Sequence, residues 1–312
     1  MALKFLPNGA AERRLMKPDY RHATAVPDRA ARVRNLTKSY ASSIAVDGID
    51  FYIQAGEIFS LLGPNGAGKT TVVEILEGHR TRDGGEVEVL GADPGTAPRS
   101  WYNQIGIVLQ ESSDAPELTV REVVRHYASY YTNRGDPDEI IQNVGLKDNA
   151  NRRVHQLSGG QRRRLDVALG IVGRPKLLFL DEPTTGFDPE ARRDFWTLVR
   201  GLAGEGTALL LTTHYLDEAE ALADRVAVLL NGRIAVSGKP ATLGGRASAN
   251  ARVSWVDSTG RRTVHTQTPE QVVGELARQA GDVISELTVT RPSLEDVYLD
   301  LIRKYANDGE TP

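Results

Sequence analysis

The chain has 312 residues, 40% of them hydrophobic and 25% charged, which is typical of a globular protein with one large domain and an accessory piece. Its formal net charge of −3 argues against a nucleic-acid partner bound through bulk positive charge. The absence of cysteine excludes disulfides, thiolate catalysis and cysteine-ligated metals. No apolar run approaches the ~20 residues that cross a bilayer, so work at a membrane would require a separate membrane-spanning partner.

The first predicted elements follow a basic arm, residues 1–29, which is rich in Arg, Lys, Ala and Pro. We interpret this arm as a solvated, flexible tail, with contact to anionic lipid headgroups as the alternative. Strand patterns begin near Arg32. Two short strands, 44–46 and 49–53, are predicted on either side of a turn at Asp47-Gly48.

The middle of the chain alternates strands with helices, which predicts a mainly parallel sheet covered by helices. A helical insert over about 112–157 interrupts this alternation, with a capping-box start at Thr119. Glycines near residue 244 mark a boundary. We therefore predict a main domain over 30–242, a small C-terminal α+β domain over 243–306 and a tail over 307–312.

A glycine-rich segment reads Gly-Pro-Asn-Gly-Ala-Gly-Lys-Thr between a predicted strand and a predicted helix, the context that a phosphate-binding loop requires. In such a loop the backbone N–H groups converge on phosphate oxygens. Lys69 supplies charge to the β- and γ-phosphates, and the Thr70 hydroxyl can bind Mg²⁺. A chance match in a glycine-rich turn is the disfavoured alternative. The predicted nucleotide-contacting residues are Gly63, Pro64, Asn65, Gly66, Ala67, Gly68, Lys69, Thr70 and Thr71.

Two carboxylates end an apolar strand at Asp181 and Glu182. Because the strand shows no alternation of polar residues, it is predicted to be buried on both faces, with its acids at the carboxyl edge of the sheet. Asp181 could hold Mg²⁺ through its water shell, and Glu182 could act as the general base toward an attacking water. The alternative is that both acids only end the strand.

A second glycine motif, Leu157-Ser158-Gly159-Gly160-Gln161, precedes a predicted helix. Ser158 and Gln161 could form a capping box, but two consecutive glycines in a first helical turn also fit close approach of a ligand to the backbone. With the phosphate loop and the acidic strand, this motif resembles the signature of the ATP-binding subunits of ATP-binding cassette (ABC) transporters, over roughly residues 32–240.

The resemblance implies an α/β P-loop NTPase cassette, with a mainly parallel sheet core, an antiparallel β subdomain and the helical insert, followed by the small C-terminal domain. It also implies ATP and Mg²⁺ as cofactors and an active ATPase. Tyr40 would stack on adenine, Gln110 would contact Mg²⁺ and water, and His214 would contact the γ-phosphate. Phe187 departs from the family pattern, which usually has Leu there.

In that family the signature of one subunit completes the ATP site of another. The residues implied to act in trans are Ser158, Gly159, Gly160, Gln161 and Asp188. A homodimer or a paired ATPase subunit is therefore expected, and the helical insert would receive a separate integral-membrane permease.

The stretches from His214 to Glu220 and from Arg291 to Tyr298 resemble the daunorubicin-resistance ATPases, whose permeases are of the ABC-2 type. This resemblance implies a multidrug or antibiotic exporter ATPase in the cytoplasm, peripheral on the inner face of the cell membrane. Two other classes stay open at this point: a soluble cassette ATPase that acts as a regulator or assembly factor, and the ATPase of an importer.

Overall fold

The computed structural model describes residues 29–41, 43–108, 115–280 and 284–308. Four predictions therefore lie wholly or partly outside the described residues: the basic arm up to residue 28, the start of the helical insert, the role of Gln110 and the end of the tail. Arg29, which was assigned to the arm, is instead the first residue of a strand.

Strands alternate with helices over most of the described chain. The strands are β1 (Arg29–Tyr40), β2 (Ser43–Gln54), β3 (Ile58–Leu62), β4 (Gly84–Val89), β5 (Ile105–Val108), β6 (Leu177–Asp181), β7 (Ala208–Thr213), β8 (Arg225–Leu230), β9 (Arg233–Gly238), β10 (Ala251–Asp257), β11 (Gly260–Thr266) and β12 (Ser285–Thr290). The helices are α1 (Lys69–Leu76), α2 (Val120–Ala128), α3 (Pro137–Asn143), α4 (Gly159–Ile171), α5 (Pro189–Gly204), α6 (Leu216–Leu222), α7 (Pro269–Ala280) and α8 (Leu294–Asp308).

The central six-stranded sheet has the order β5-β6-β7-β3-β8-β9. All its pairings are parallel except the one between β8 and β9, which confirms the predicted mainly parallel core. The strands β3, β6 and β7 are buried along their length, apart from a half-buried Asp181 at the end of β6. Because β3, β6 and β7 run in parallel, their carboxyl ends meet at one edge of the sheet.

A separate antiparallel sheet has the order β2-β1-β4 and packs over α1 and the central sheet. The prediction of two short strands separated at Asp47-Gly48 was wrong, because β2 runs through this position without a break. Gly48 adopts a positive φ of 67°, and the pairing of β1 with β2 shifts register nearby. The glycine thus absorbs an irregularity of the ladder that resembled a turn in the sequence.

Helices α2 and α3 lie in the predicted insert and pack against α4. The predicted capping box at the start of α2 is present, since the Glu122 amide donates to Thr119 Oγ1 over 3.3 Å and the Thr119 amide donates to a Glu122 carboxylate oxygen over 2.8 Å. None of the helices in the described ranges is long and apolar enough to cross a bilayer.

Beyond the central sheet, the antiparallel strands β11-β10-β12 and helix α7 form a small α+β unit. Helix α8 then returns to the central sheet, where Leu294 is completely buried in an apolar cluster that includes Leu62 of β3 and Val226 of β8. The division into domains at residue 242 stays a prediction. The C-terminal helix nevertheless packs directly beside the carboxyl edge of the main sheet.

Candidate functional site

A cleft of about 720 Å³ opens at the carboxyl edge of the central sheet. This volume falls within the range that is common for small-molecule sites. Of the predicted residues that the structure describes, the cleft brings together Tyr40, Gly63, Pro64, Asn65, Gly66, Gly68, Lys69, Thr70, Thr71, Asp181, Glu182 and His214. The Ala67 side chain is buried and does not line the cleft. Ala45 and Tyr298 line it as well, although neither was predicted.

The glycines of the loop meet two different physical requirements. A Cβ atom on Gly68 would lie 2.2 Å from the Ala45 carbonyl oxygen, and one on Gly63 would lie 2.4 Å from the Leu229 carbonyl oxygen, so neighbouring strands exclude a side chain at both. Gly66 has nothing within 4 Å of a Cβ position but adopts a φ of 80°. Its open side faces the cleft, where a ligand could approach the backbone.

Lys69 begins α1 and bends back over the loop. Its Nζ donates to the Gly63 carbonyl over 2.7 Å and to the Pro64 carbonyl over 3.2 Å. Burial lowers the pKa of the Lys69 ammonium group, while the charges of Glu182 and Asp181 oppose this shift. The ammonium group therefore lies at the start of α1, where it and the amides at the helix N-terminus can attract a phosphate.

The two predicted acids occupy different positions at the end of β6. An Asp181 carboxylate oxygen accepts a hydrogen bond from the Thr212 hydroxyl of β7. Glu182 follows with a positive φ of 45°, and its amide donates to the Thr212 carbonyl over 3.0 Å. A glutamate in the left-handed region costs roughly 1–3 kcal/mol, and such strain clusters at functional sites. The Glu182 side chain points to His214, whose Nδ1 lies 3.2 Å from Glu182 Oε1.

Tyr40 ends β1 near the start of α1. The Arg80 guanidinium lies 5.2 Å from the centre of its ring, and the Tyr40 hydroxyl lies 3.5 Å from Thr71 Oγ1. The ring is more than one-third exposed and lines the cleft. A flat aromatic surface held in this way can stack on a planar base.

The donor set of the cleft fits Mg²⁺ better than a softer metal. Thr70 and Asp181 supply hydroxyl and carboxylate oxygens, which are the ligands that Mg²⁺ prefers. Among the described residues no group of three His, Cys, Asp or Glu side chains could hold a metal ion by itself. A site with one or two protein oxygens matches the way Mg²⁺ is held together with substrate phosphates and water.

The second glycine motif does not line the cleft of its own chain. Ser158 caps α4 by accepting from the Gln161 amide over 3.3 Å, and the Ser158 amide donates to Gln161 Oε1 over 3.1 Å, so the capping box is present. Gly159 has open space around its Cβ position and Gly160 has only a loose neighbour. The motif thus combines a capped helix start with a backbone at Gly159 and Gly160 that is accessible to a ligand.

Asp188 and Phe187 both have local structural partners. Asp188 Oδ1 accepts from the Ala191 amide over 2.8 Å and so caps α5. The Phe187 ring packs edge-on against Phe195, with ring centres 5.8 Å apart. This contact accounts for an aromatic side chain at a position where Leu was expected.

Arg163 is a positioning residue that the sequence analysis missed. It lies buried in α4, where Nη2 donates to the Asp181 carbonyl over 2.7 Å and Nε donates to the Pro183 carbonyl over 2.9 Å. These bonds join the helix that begins at Ser158 to the backbone on both sides of Glu182. No pattern separates Arg163 from its neighbours Arg162 and Arg164, so only the fold identifies it.

A loop that can cradle phosphates, an acidic strand end and a histidine, all at one edge of a parallel sheet, define a P-loop nucleoside triphosphatase. The family model for ABC transporters matches residues 46–185. The chain is 36% identical to the daunorubicin/doxorubicin resistance ATP-binding protein DrrA of Streptomyces peucetius, over 91% of this chain and 96% of that protein. It is also 36% identical to the Nod factor export ATP-binding protein I of a Rhizobium species (strain N33), over 87% and 96% of the two chains.

Solved structures agree with this fold. An ATP-binding subunit of an ABC transporter superposes with a TM-score of 0.65 at 21% identity, covering 88% of this chain and 99% of that one. A dimeric ATP-binding cassette in a post-hydrolysis state with ADP and Pi superposes with a TM-score of 0.61 at 24% identity, covering 67% and 98%. The chain belongs to the ABC transporter ATP-binding family, and it is an ATP-hydrolysing enzyme with the predicted cassette fold.

Proposed function

We propose that this ATPase energises an exporter whose substrate, a drug, an antibiotic or another hydrophobic compound, is carried by a separate permease. The observation that carries the proposal is the extent of the similarity to a resistance protein and to an export protein, since it covers 91% and 87% of this chain. That similarity continues past the family model, which ends at residue 185, and so includes the C-terminal region.

The described cleft would hold one half of the ATP site. Lys69 and the loop amides bind the phosphates, Tyr40 stacks on adenine, and Thr70 and Asp181 hold Mg²⁺, with Gln110 as a further ligand. When bound, Mg²⁺ neutralises charge on the phosphates. Glu182 takes a proton from the attacking water while the oxygen of that water bonds to the γ-phosphorus. The bond between the γ-phosphorus and the bridging oxygen of ADP breaks. His214 orients Glu182 and the γ-phosphate.

The other half of the site would come from a second cassette. Ser158 and Gly159 are exposed outside the cleft, so they are accessible to the nucleotide of a partner. In the proposed dimer, Ser158, Gly159, Gly160 and Gln161 present the start of α4 to the γ-phosphate, and Asp188 lies close by. The positive end of a helix favours an anion at this position. ATP binding therefore drives dimerisation and hydrolysis reverses it.

The helical insert would attach this ATPase to an ABC-2 type permease at the inner face of the cell membrane. Tyr130 is 64% exposed just after α2, and its ring packs edge-on against His126 and Tyr127. An exposed aromatic cluster of this kind is typical of protein-binding surfaces. The surface could receive a short segment of the permease.

Recovery of a permease tests the proposed function directly. We expect the full chain, tagged and purified from detergent-solubilised membranes of its own cells, to retain a stoichiometric membrane protein. Tyr130→Arg is expected to lose this partner. Val264→Arg, at an exposed position of β11, serves as a matched control and should keep the membrane protein.

Recovery of the ATPase without any membrane protein would contradict the exporter proposal and favour a regulator or assembly factor. Uptake of substrate by vesicles that carry the complex in the cellular orientation would favour an importer.

A further inference from the structure

Tyr298, in the second turn of the C-terminal helix α8, lines the same cleft as Lys69, Glu182 and His214. No residue of the phosphate loop or of the acidic strand lies near it in sequence. The C-terminal region thus contributes a side chain to the nucleotide cleft of its own chain.

The packing of α8 holds Tyr298 at the wall of the cleft. Tyr298 packs against an apolar cluster that contains Leu62, the residue before Gly63, and Leu216, two residues after His214, packs against the same cluster. Tyr40, at the end of β1, lies instead near Thr71 of α1. Tyr298 therefore shares its packing with the segments next to the start of the loop and next to His214, the residue that contacts the γ-phosphate in the proposed site.

The chemistry of a half-buried tyrosine fits this location. The ring of Tyr298 packs on apolar side chains while the residue also lines a cleft with charged walls. Tyrosine in such a place presents its apolar ring to the protein and its hydroxyl to the polar side. A tyrosine hydroxyl carries its proton at neutral pH, and burial raises the pKa of Tyr298 further, so the hydroxyl can donate to a phosphate oxygen.

Hydrogen bonds at the start of helix α8 fix its position relative to α6. Ser293, the residue before the helix, caps it: the Ser293 Oγ accepts from the Asp296 amide over 3.1 Å, and the Ser293 amide donates to an Asp296 carboxylate oxygen over 2.7 Å. Just before the helix, Arg246 donates to the Pro292 carbonyl and, over 2.5 Å, to Glu220 Oε1 of α6. Because α6 begins two residues after His214, Arg246 joins the start of α8 to the helix that follows the catalytic histidine.

We propose that the hydroxyl of Tyr298 donates to the terminal phosphate of bound ATP, so that the C-terminal region distinguishes the triphosphate from the diphosphate state. This inference rests on the nucleotide site described above and adds a contact to it. By linkage, a contact made only with ATP also stabilises the docked position of α8 when ATP is bound.

Titration of the full chain with a non-hydrolysable ATP analogue and with ADP, both with Mg²⁺, tests the proposal. Tyr298→Phe keeps the ring and its packing, so it should fold normally. We expect the Kd for the analogue to rise roughly tenfold, as for loss of a hydrogen bond to a charged group, and the Kd for ADP to change much less. Tyr298→Ala should likewise raise the Kd for the analogue more than the Kd for ADP. Tyr305→Phe is the matched control, because Tyr305 lies on α8 in the same cluster but outside the cleft.

A second readout is amide hydrogen exchange over residues 294–305 of the wild-type chain. We expect the analogue to slow this exchange more than ADP does, and Tyr298→Phe to remove the difference. Wild-type affinity for the analogue in Tyr298→Phe would overturn the proposal, as would equal losses for the analogue and ADP. If Lys69→Ala also bound both nucleotides normally, the nucleotide site itself would be wrong, which separates the two failures.

Discussion

Glu182→Gln is expected to lower kcat for ATP hydrolysis by about 10²–10⁴-fold while ATP still binds, because a general base contributes a factor of this size. The amide of glutamine cannot accept the proton of the attacking water. It keeps the size of the side chain and can still hydrogen-bond to His214, which lies 3.2 Å from Glu182 Oε1. Steady-state hydrolysis and an ATP titration of the same preparation measure the two effects separately.

The matched control for this variant is Glu190→Gln. Glu190 is an exposed acid in the first turn of α5 and does not line the cleft. Its replacement should leave hydrolysis at the wild-type rate. Because Glu182→Gln binds ATP but does not cleave it, a dimer should accumulate with ATP and Mg²⁺ on size-exclusion chromatography. Turnover close to wild type in Glu182→Gln would remove Glu182 from the role of base.

Lys69→Ala is expected to raise the Kd for ATP roughly 10–100-fold, because hydrogen bonds to charged groups contribute about 1.5–3 kcal/mol. The ammonium group donates over 2.7 Å to the carbonyl of Gly63, the first residue of the loop. In the proposed site, its removal takes away the charge that faces the β- and γ-phosphates. Hydrolysis should fall with binding, and titration calorimetry measures the affinity.

Lys176→Ala provides the matched control for loss of a lysine. The Lys176 side chain is exposed at the other end of the central sheet, where its Nζ donates to Gln104 Oε1 over 3.1 Å. We expect this variant to bind ATP normally. An unchanged ATP affinity in Lys69→Ala, with the melting temperature retained, would show that the loop at 63–70 does not hold the phosphates.

The parts of the site that could be predicted are contiguous in sequence. The segment from Gly63 to Thr70 combines loop, lysine and hydroxyl in one stretch, so its pattern identifies it without any tertiary information. The apolar run before Asp181 likewise predicted a buried strand with two acids at its carboxyl end. Ser158 was predicted both as a cap and as a ligand-facing residue; the structure confirms the cap and leaves the backbone beside it accessible.

The parts that could not be predicted depend on contacts between distant segments. Gly48 resembled a turn because a positive φ within a paired strand leaves the same sequence pattern as a turn does. Arg163 reaches the backbone around Glu182 only because α4 packs beside β6. Tyr298 enters the cleft because α8 returns from the C-terminal unit to the central sheet. No local pattern of the sequence encodes any of these contacts.

The central claim is that each complete ATP site takes Lys69 from one cassette and Ser158 from another. Two variants, Lys69→Ala and Ser158→Arg, should each be nearly inactive as homodimers. When they are co-expressed with different tags and purified through both, every dimer carries one site with both changes and one with neither. We predict that this mixed dimer hydrolyses ATP well above either homodimer. A mixed dimer no more active than the two homodimers would contradict a site shared between two chains.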